Sequence, residues 1–314
     1  MKRLPFLLII SWCFIGCATQ RGTLVAAGGS MKDESGEVHE RILRNTNRAI
    51  GIITTASINE LEGFTSKRDG FAKWAPNREV IDIGLREEHP EKADDPAVVA
   101  LIERCDVLFF IGGDQKRIVD VFRPLQNSAE NSRRNSAAYE AVLRLLDRGG
   151  TVAGTSAGAA MMGDVMFHSG QIKQSVQYWA EQNSQQKFDV RAKFASTGLF
   201  AVPTDGTLKL GTGMGLVRHV IIDSHFAQRK RIGRLEIALD ITGEPWGLGV
   251  NENCAVIIDR ATGRVESVGA TDEVATLVQR DPATSWSLVG GSHFEIGDVP
   301  VKVSAILPAI VPTK

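Results

Sequence analysis

The chain has 314 residues, 43% of them hydrophobic and 23% charged, with a formal net charge of −1. That balance belongs to a globular protein with a sizeable core and excludes a disordered or fibrous chain. With no net positive charge and no long basic block, nothing marks the chain for nucleic acid.

The first predicted element is a leader. Lys2 and Arg3 precede an apolar run from Leu4 to Ile15, too short to cross a bilayer as a helix. A basic stretch followed by a short apolar one predicts a signal peptide over residues 1–16, with 17–314 forming one domain. The run ends in Phe14-Ile15-Gly16-Cys17, which resembles a bacterial lipobox, with cleavage before Cys17 and lipid on its sulfur. Ordinary secretory cleavage nearby is the alternative. The expected location is the cell envelope, periplasmic or surface, with the membrane touched only through a lipid anchor.

Short apolar runs at Leu24–Ala27, Ile50–Thr54, Val80–Ile83, Val107–Ile111 and Thr151–Ala153 predict strands. Gly36–Thr46, Pro96–Arg104 and Ala137–Arg148 carry helical patterns between them. Continuous apolar strands separated by helices imply an α/β fold, a doubly wound and mostly parallel sheet covered on both faces. Glycine turns at Gly28-Gly29, Gly112-Gly113 and Gly154 fall at carboxyl ends of strands, where sites collect in such sheets. Residues 165–213 are polar and glutamine-rich with no strong period, and read as an excursion or lid. Strands resume at Arg218–Asp223, Trp246–Val250 and Ala255–Asp259, and Val265–Val268 completes a C-terminal hairpin. Cys105 and Cys254 lie beside strands and read as buried thiols, with a disulfide as the alternative. No cysteine–histidine spacing suggests zinc, and no cofactor is expected.

Gly154-Thr155-Ser156-Ala157-Gly158 fits the nucleophile-elbow pattern, in which a serine sits on a sharp strand-to-helix turn and side chains two positions away would collide. A helix beginning there points N–H groups at developing negative charge. A serine hydroxyl needs a base. Among the histidines, His39 and His89 lie in polar stretches and read as solvated, His168 lies in the excursion, and His293 is near the C-terminus. His219 opens a strand, whereas His225 follows that strand's end and so shares a rim with Ser156. The base needs an orienting acceptor. Glu252, at the end of the next apolar strand, supplies one. The order serine, histidine, acid differs from that of the α/β-hydrolases.

Gly112-Gly113-Asp114-Gln115, Gly154-Thr155-Ser156-Ala157-Gly158-Ala159 and Asp223-Ser224-His225-Phe226-Ala227-Gln228-Arg229 resemble the signature blocks of the cyanophycinases. Gly233-Arg234-Leu235 and Asn251-Glu252-Asn253 fit the same pattern in the same order. These are serine peptidases grouped with aspartyl dipeptidase. The resemblance implies a flavodoxin-like, class I amidotransferase-like sheet and a Ser156–His225–Glu252 triad. It implies an oxyanion hole from backbone N–H groups near Gly113 and Ala157, exopeptidase cleavage of β-aspartyl-arginine units, and no metal. It also suggests a homodimer. Gln115, Asp223, Arg229, Arg231 and Arg234 resemble family positions lining the substrate groove. Arginine forks suit the carboxylates of such a substrate, and Asp223 is a candidate for its guanidinium groups. For Arg229-Lys230-Arg231 a solvated helix face is the alternative.

Three departures bear on the substrate rather than on the chemistry. Ser224 stands where the family usually has glutamine. Ser156 and His225 lie 69 residues apart, a longer spacing than the family leads one to expect. The leader places the chain outside the cytoplasm, where a storage-polymer enzyme generally resides. The alternatives are an isoaspartyl dipeptidase acting on short peptides, and a non-catalytic lipoprotein that captures acidic peptides. A glutamine amidotransferase is disfavoured, because the nucleophile position holds Ser156 rather than cysteine.

Overall fold

The computed structural model describes residues 22–31, 36–44, 46–127, 132–170, 172–201, 208–269, 271–296 and 310–312. The leader and Cys17 lie outside the described residues.

The chain opens with β1 (Thr23–Ala27), α1 (Gly36–Leu43), β2 (Ala49–Ile53), α2 (Glu60–Trp74) and β3 (Val80–Asp82). Then come α3 (Pro96–Arg104), β4 (Cys105–Phe110), α4 (Gln115–Phe122), a small hairpin of β5 (Leu125–Asn127) and β6 (Ser132–Arg133), and α5 (Ala137–Asp147). The turns set these helices locally. Asp95, Asp114 and Ser136 cap α3, α4 and α5 by accepting backbone N–H bonds, and Pro96 occupies the first turn of α3, where no N–H partner is lost. β7 (Thr151–Thr155) leads into the one-turn α6 (Ala157–Ala160).

The central sheet has the order β3-β2-β4-β7-β1 in its parallel part. After α6 the chain leaves this sheet for β8 (Val165–Ser169), α7 (Ile172–Glu181), α8 (Ser184–Thr197), β9 (Phe200–Ala201), β10 (Lys209–Thr212), β11 (Val220–Asp223), α9 (Ile232–Thr242) and β12 (Trp246–Val250). The antiparallel strands β13 (Ala255–Asp259) and β14 (Arg264–Val268) then extend it beside β1. Leu24, Ala26, Leu108 and Phe110 turn to one face and pack with Val98, Ile102, Val142 and Leu145 of α3 and α5. Val25, Ala27, Val107 and Phe109 turn to the other and pack with Val38, Ile42 and Phe71 of α1 and α2. Because successive side chains of a strand point to opposite faces, both of which are covered, these strands read as unbroken apolar runs. Each fully buried side chain of this kind contributes about 2 kcal/mol of transfer free energy.

The later strands depart from the expectation in two ways. β11 and β12 do not join the central sheet. They pair parallel with each other, and β12 pairs antiparallel with β15 (Ala275–Gln279), which continues through β16 (Thr284–Leu288). The hairpin β13–β14 is also not the last of the fold, since β15, β16, β17 (His293–Glu295) and β18 (Ile310–Pro312) follow it. β17 pairs with β14 at the edge of the central sheet, and β18 pairs with β16.

The described residues of the 165–213 excursion have regular structure: the three-stranded antiparallel sheet β8-β10-β9, apart from the central sheet, together with α7 and α8. Phe167, Trp179, Phe194, Phe200 and Leu210 close a separate apolar cluster against Ile221, Leu235 and Leu239. A few large anchors amid solvated glutamines leave no strong period, which is why the sequence pattern failed here.

His39 is also not solvated. It is buried, stacked on Trp74 at 5.5 Å and edge-on to Phe71 at 5.6 Å. Cys105 and Cys254 are buried free thiols, and burial pushes the Cys105 thiol up to about 12. Among the described residues no helix is long and apolar enough to cross a membrane.

Candidate active site

The carboxyl ends of the adjacent strands β1, β7 and β4 meet at Ser156. The residue has φ 54° and ψ −111°, a conformation that costs a side-chain-bearing residue about 1–3 kcal/mol. The elbow's glycines make the turn possible. A Cβ on Gly154 would run into the carbonyl of Gly158, and one on Gly158 into the carbonyl of Phe110. The Ser156 N–H donates to the Ala27 carbonyl at 3.0 Å, which ties the elbow to β1.

The Ser156 hydroxyl lies 2.8 Å from His225 Nε2, and His225 Nδ1 lies 2.6 Å from Glu252 Oε1. His225 follows β11 and Glu252 follows β12, so the parallel pairing of these two strands brings base and acid to one end of the second sheet. Gly29 makes room for the imidazole, since a Cβ there would overlap the ring. The Gly28 carbonyl accepts the His225 N–H at 2.6 Å. Burial holds the His225 imidazole below its ordinary range, opposed by the hydrogen bond to Glu252, while the positive charges of Arg229 and Arg231 push further down. The Glu252 carboxyl is held below the usual carboxylate range, mainly by its hydrogen bond to His225.

Ser156 opens into a cleft of about 230 Å³ whose lining includes Gly113, Gln115, Ala157 and Arg229. Gly112 packs against the serine, because a Cβ placed on it would lie 3.3 Å from that of Ser156. Gly113 has φ 142° and abuts the Ala56 carbonyl, so a side chain is excluded at that position. The helix expected after the elbow is only the four residues of α6, so the local N–H groups, rather than a long helix dipole, are what the turn offers to an anion.

The groove residues need correction. Asp223 is not open to a substrate guanidinium. It is 1% exposed and engaged by Arg231 at 3.0 Å and by Arg234, whose Nε donates to it at 2.7 Å. Arg234 is itself buried, stacks over Phe167 at 4.4 Å and donates to the Gly170 carbonyl at 3.1 Å. Burial brings the Arg231 guanidinium down to about 10, and Arg231 also donates to the Ser224 carbonyl at 2.7 Å. The Gln115 amide donates to the Phe167 carbonyl. Gln115, Asp223, Arg231 and Arg234 therefore line the cleft with their polar ends bound to one another or to the 165–213 stretch. Arg229 is exposed at its mouth.

Sequence reasoning missed one group that touches the acid: Gln228 accepts the Glu252 N–H at 3.2 Å.

No family model matches the chain. A cyanophycinase of Nostoc sp. is 29% identical over 184 residues, which is 58% of this chain and 47% of that protein. A cyanophycinase of Synechococcus elongatus is 27% identical over 198 residues, 60% of this chain and 49% of that one. The chain thus spans about half the length of the curated relatives it matches. A peptidase from an acI-B1 Actinobacterium superposes with a TM-score of 0.58 at 16% identity, covering 89% of this chain and 98% of that one, a likeness of fold. The chain is therefore a sequence relative of the cyanophycinases built on a peptidase's α/β fold, as its motif blocks had implied.

Proposed function

We propose that the chain is a serine peptidase that hydrolyses β-aspartyl peptides from an end, with the β-aspartyl-arginine units of cyanophycin as its substrate class. The observation that carries this is the unbroken hydrogen-bond chain from the Ser156 hydroxyl through His225 to Glu252. Ser156 Oγ attacks the amide carbonyl while His225 Nε2 takes its proton. Glu252 holds the ring through Nδ1 and stabilises the imidazolium that forms. N–H groups of Gly113 and Ala157, which border the serine, receive the developing oxyanion. Collapse expels the amine, which leaves with the proton from His225. Water then enters by the same base and frees Ser156 from the acyl-enzyme.

The same cleft favours a second reading within this chemistry, an isoaspartyl dipeptidase. Its polar walls are already committed to the 165–213 stretch, and it is about 230 Å³ in volume. The basic and apolar start of the chain, with Gly16-Cys17 after it, supports export and lipid attachment. Incorporation of labelled palmitate that Cys17→Ser abolishes is the expected result, and retention of label in that variant would refute the anchor.

The test is release of β-aspartyl-arginine from purified cyanophycin, run beside a panel of β-aspartyl dipeptides and with Ser156→Ala as control. Release by the native chain and not by the variant is expected. Release from dipeptides alone would assign the second reading, and turnover of neither class would overturn both.

A further inference from the structure

A second cavity shares α9 with the cleft. Arg234 faces Asp223 and the cleft. With 3.6 residues per turn, Glu236 and Asp240 lie on the opposite side of the helix. There they border a groove together with Ile237, with Trp179 of α7, and with Val278 and Arg280 at the end of β15. The groove has a volume of about 480 Å³, against about 230 Å³ beside Ser156. Ligand clefts run from about 300 to 1,000 Å³. Its floor is apolar, since Trp179, Ile237 and Val278 are buried.

The charges on its walls are unevenly used. The Asp240 carboxylate is engaged, accepting the Trp179 indole N–H at 2.9 Å and an Arg191 N–H at 2.5 Å. Glu236 and Arg280 are not. Among the described residues neither side chain makes a hydrogen bond or an ion pair. Burial pushes the Glu236 carboxyl up, with no cation to oppose it. One open carboxylate and one open guanidinium over an apolar floor complement a ligand that carries the opposite pair on an aliphatic stem. Each β-aspartyl-arginine unit has that pair, the arginine's guanidinium and its α-carboxylate. Resting on the peptidase reading above, we propose that this groove is a second substrate site that holds a further β-aspartyl-arginine unit of the polymer whose end lies at Ser156. Glu236 receives the guanidinium and Arg280 the carboxylate. Asp240 lies about 9 Å along α9 from Arg234, across a helix about 10–12 Å wide, and about six extended residues of chain cover that path. A second hold on the chain raises the effective concentration of its end at the serine.

The test titrates soluble cyanophycin fragments of several units into the full chain carrying Ser156→Ala, alone and with Glu236→Lys or Arg280→Glu added. Each added change should weaken binding about three- to tenfold, the size of one charge-assisted hydrogen bond in a half-exposed setting, and by less at high salt. Both positions are exposed, so melting temperatures should stay native. With Ser156 in place, the same changes should raise KM for the polymer by that factor and leave kcat alone. Hydrolysis of a β-aspartyl dipeptide, which reaches only the cleft, should stay native, as should labelling of Ser156 by a fluorophosphonate. Unchanged binding and KM in both variants would overturn the proposal and leave the peptidase reading standing. No binding of the fragments by Ser156→Ala would overturn it too. Weaker binding of free β-aspartyl-arginine, with none of the polymer, would make the groove a product site and refute its role in holding the chain. Binding that Glu236→Lys weakens, in a chain that releases nothing from the polymer, would keep the groove and remove the peptidase reading instead.

Discussion

Two polar constellations lie side by side at the ends of β7 and β11, and they differ in what water can reach. In the chain Ser156–His225–Glu252 the acid's side chain is 28% exposed and the serine opens into the cleft. In the cluster Arg231–Asp223–Arg234 the aspartate side chain is 1% exposed and the arginines are 13% and 6% exposed. Their bonds are of the same kind, but the consequences diverge. A buried ion cluster whose members satisfy one another is costly to break. A hydrogen-bonded set with one open end can give and take a proton. The arginines and aspartate that look like a binding groove in sequence do line the cleft, and in the fold they also bind β11 and α9 to the 165–213 stretch through the Gly170 carbonyl and the Phe167 ring.

Substitutions in the two regions should therefore separate activity from stability. The largest effect belongs to Ser156→Ala. Turnover should fall by about 10⁴-fold or more with the unfolding midpoint unchanged, read by steady-state kinetics beside thermal melting. Glu252→Gln should follow with a loss of about 10²–10⁴-fold in kcat, since an amide stabilises the imidazolium poorly and permits the wrong tautomer. In the sealed cluster the order reverses. Asp223→Ala leaves two arginines buried beside each other and should cost about 3–5 kcal/mol of stability in a denaturant titration. If Asp223→Ala instead melts like the native chain and loses substrate affinity, the cluster is a binding site and the contrast fails.

The smallest effects concern pH. The working form of His225 is neutral, and its folded pKa is depressed, mainly by burial. The acid limb of kcat/KM should accordingly lie below the ordinary imidazole value of about 6.5. Arg229→Ala removes a positive charge that pushes the imidazole down, so its acid limb should shift up by a fraction of a pH unit on the order of the effect of one exposed charge. An unmoved limb would mean that solvent screens Arg229 from His225.

Much of this was legible in the sequence, for physical reasons that also mark where legibility stopped. β1, β2, β4 and β7 are buried on both faces, so they read as apolar runs. Gly28, Gly113 and Gly154, after or at the ends of β1, β4 and β7, meet backbone carbonyls that allow no Cβ. Ser156, His225 and Glu252 each follow a strand end, and strand ends converge in this architecture. The side chains' partners did not read through. Asp223, Arg231 and Arg234 lie within twelve residues, and nothing in that spacing says whether their charges pair with one another or with a ligand. Trp179 and Phe194 are isolated anchors in a polar stretch, and only the facing residues Leu235 and Leu239 make a core of them. His39 looked solvated because its neighbours in sequence are charged, while its neighbours in space are Phe71 and Trp74.

The central claim is that Ser156 is an activated nucleophile. Treating the full chain with a fluorophosphonate and locating the adduct by peptide mass spectrometry tests it without assuming a substrate. The account predicts one stoichiometric adduct on Ser156, fast in the native chain, slow in Glu252→Gln and absent in Ser156→Ala. No adduct on Ser156 in the folded native chain, or equal labelling after His225→Ala, would contradict it.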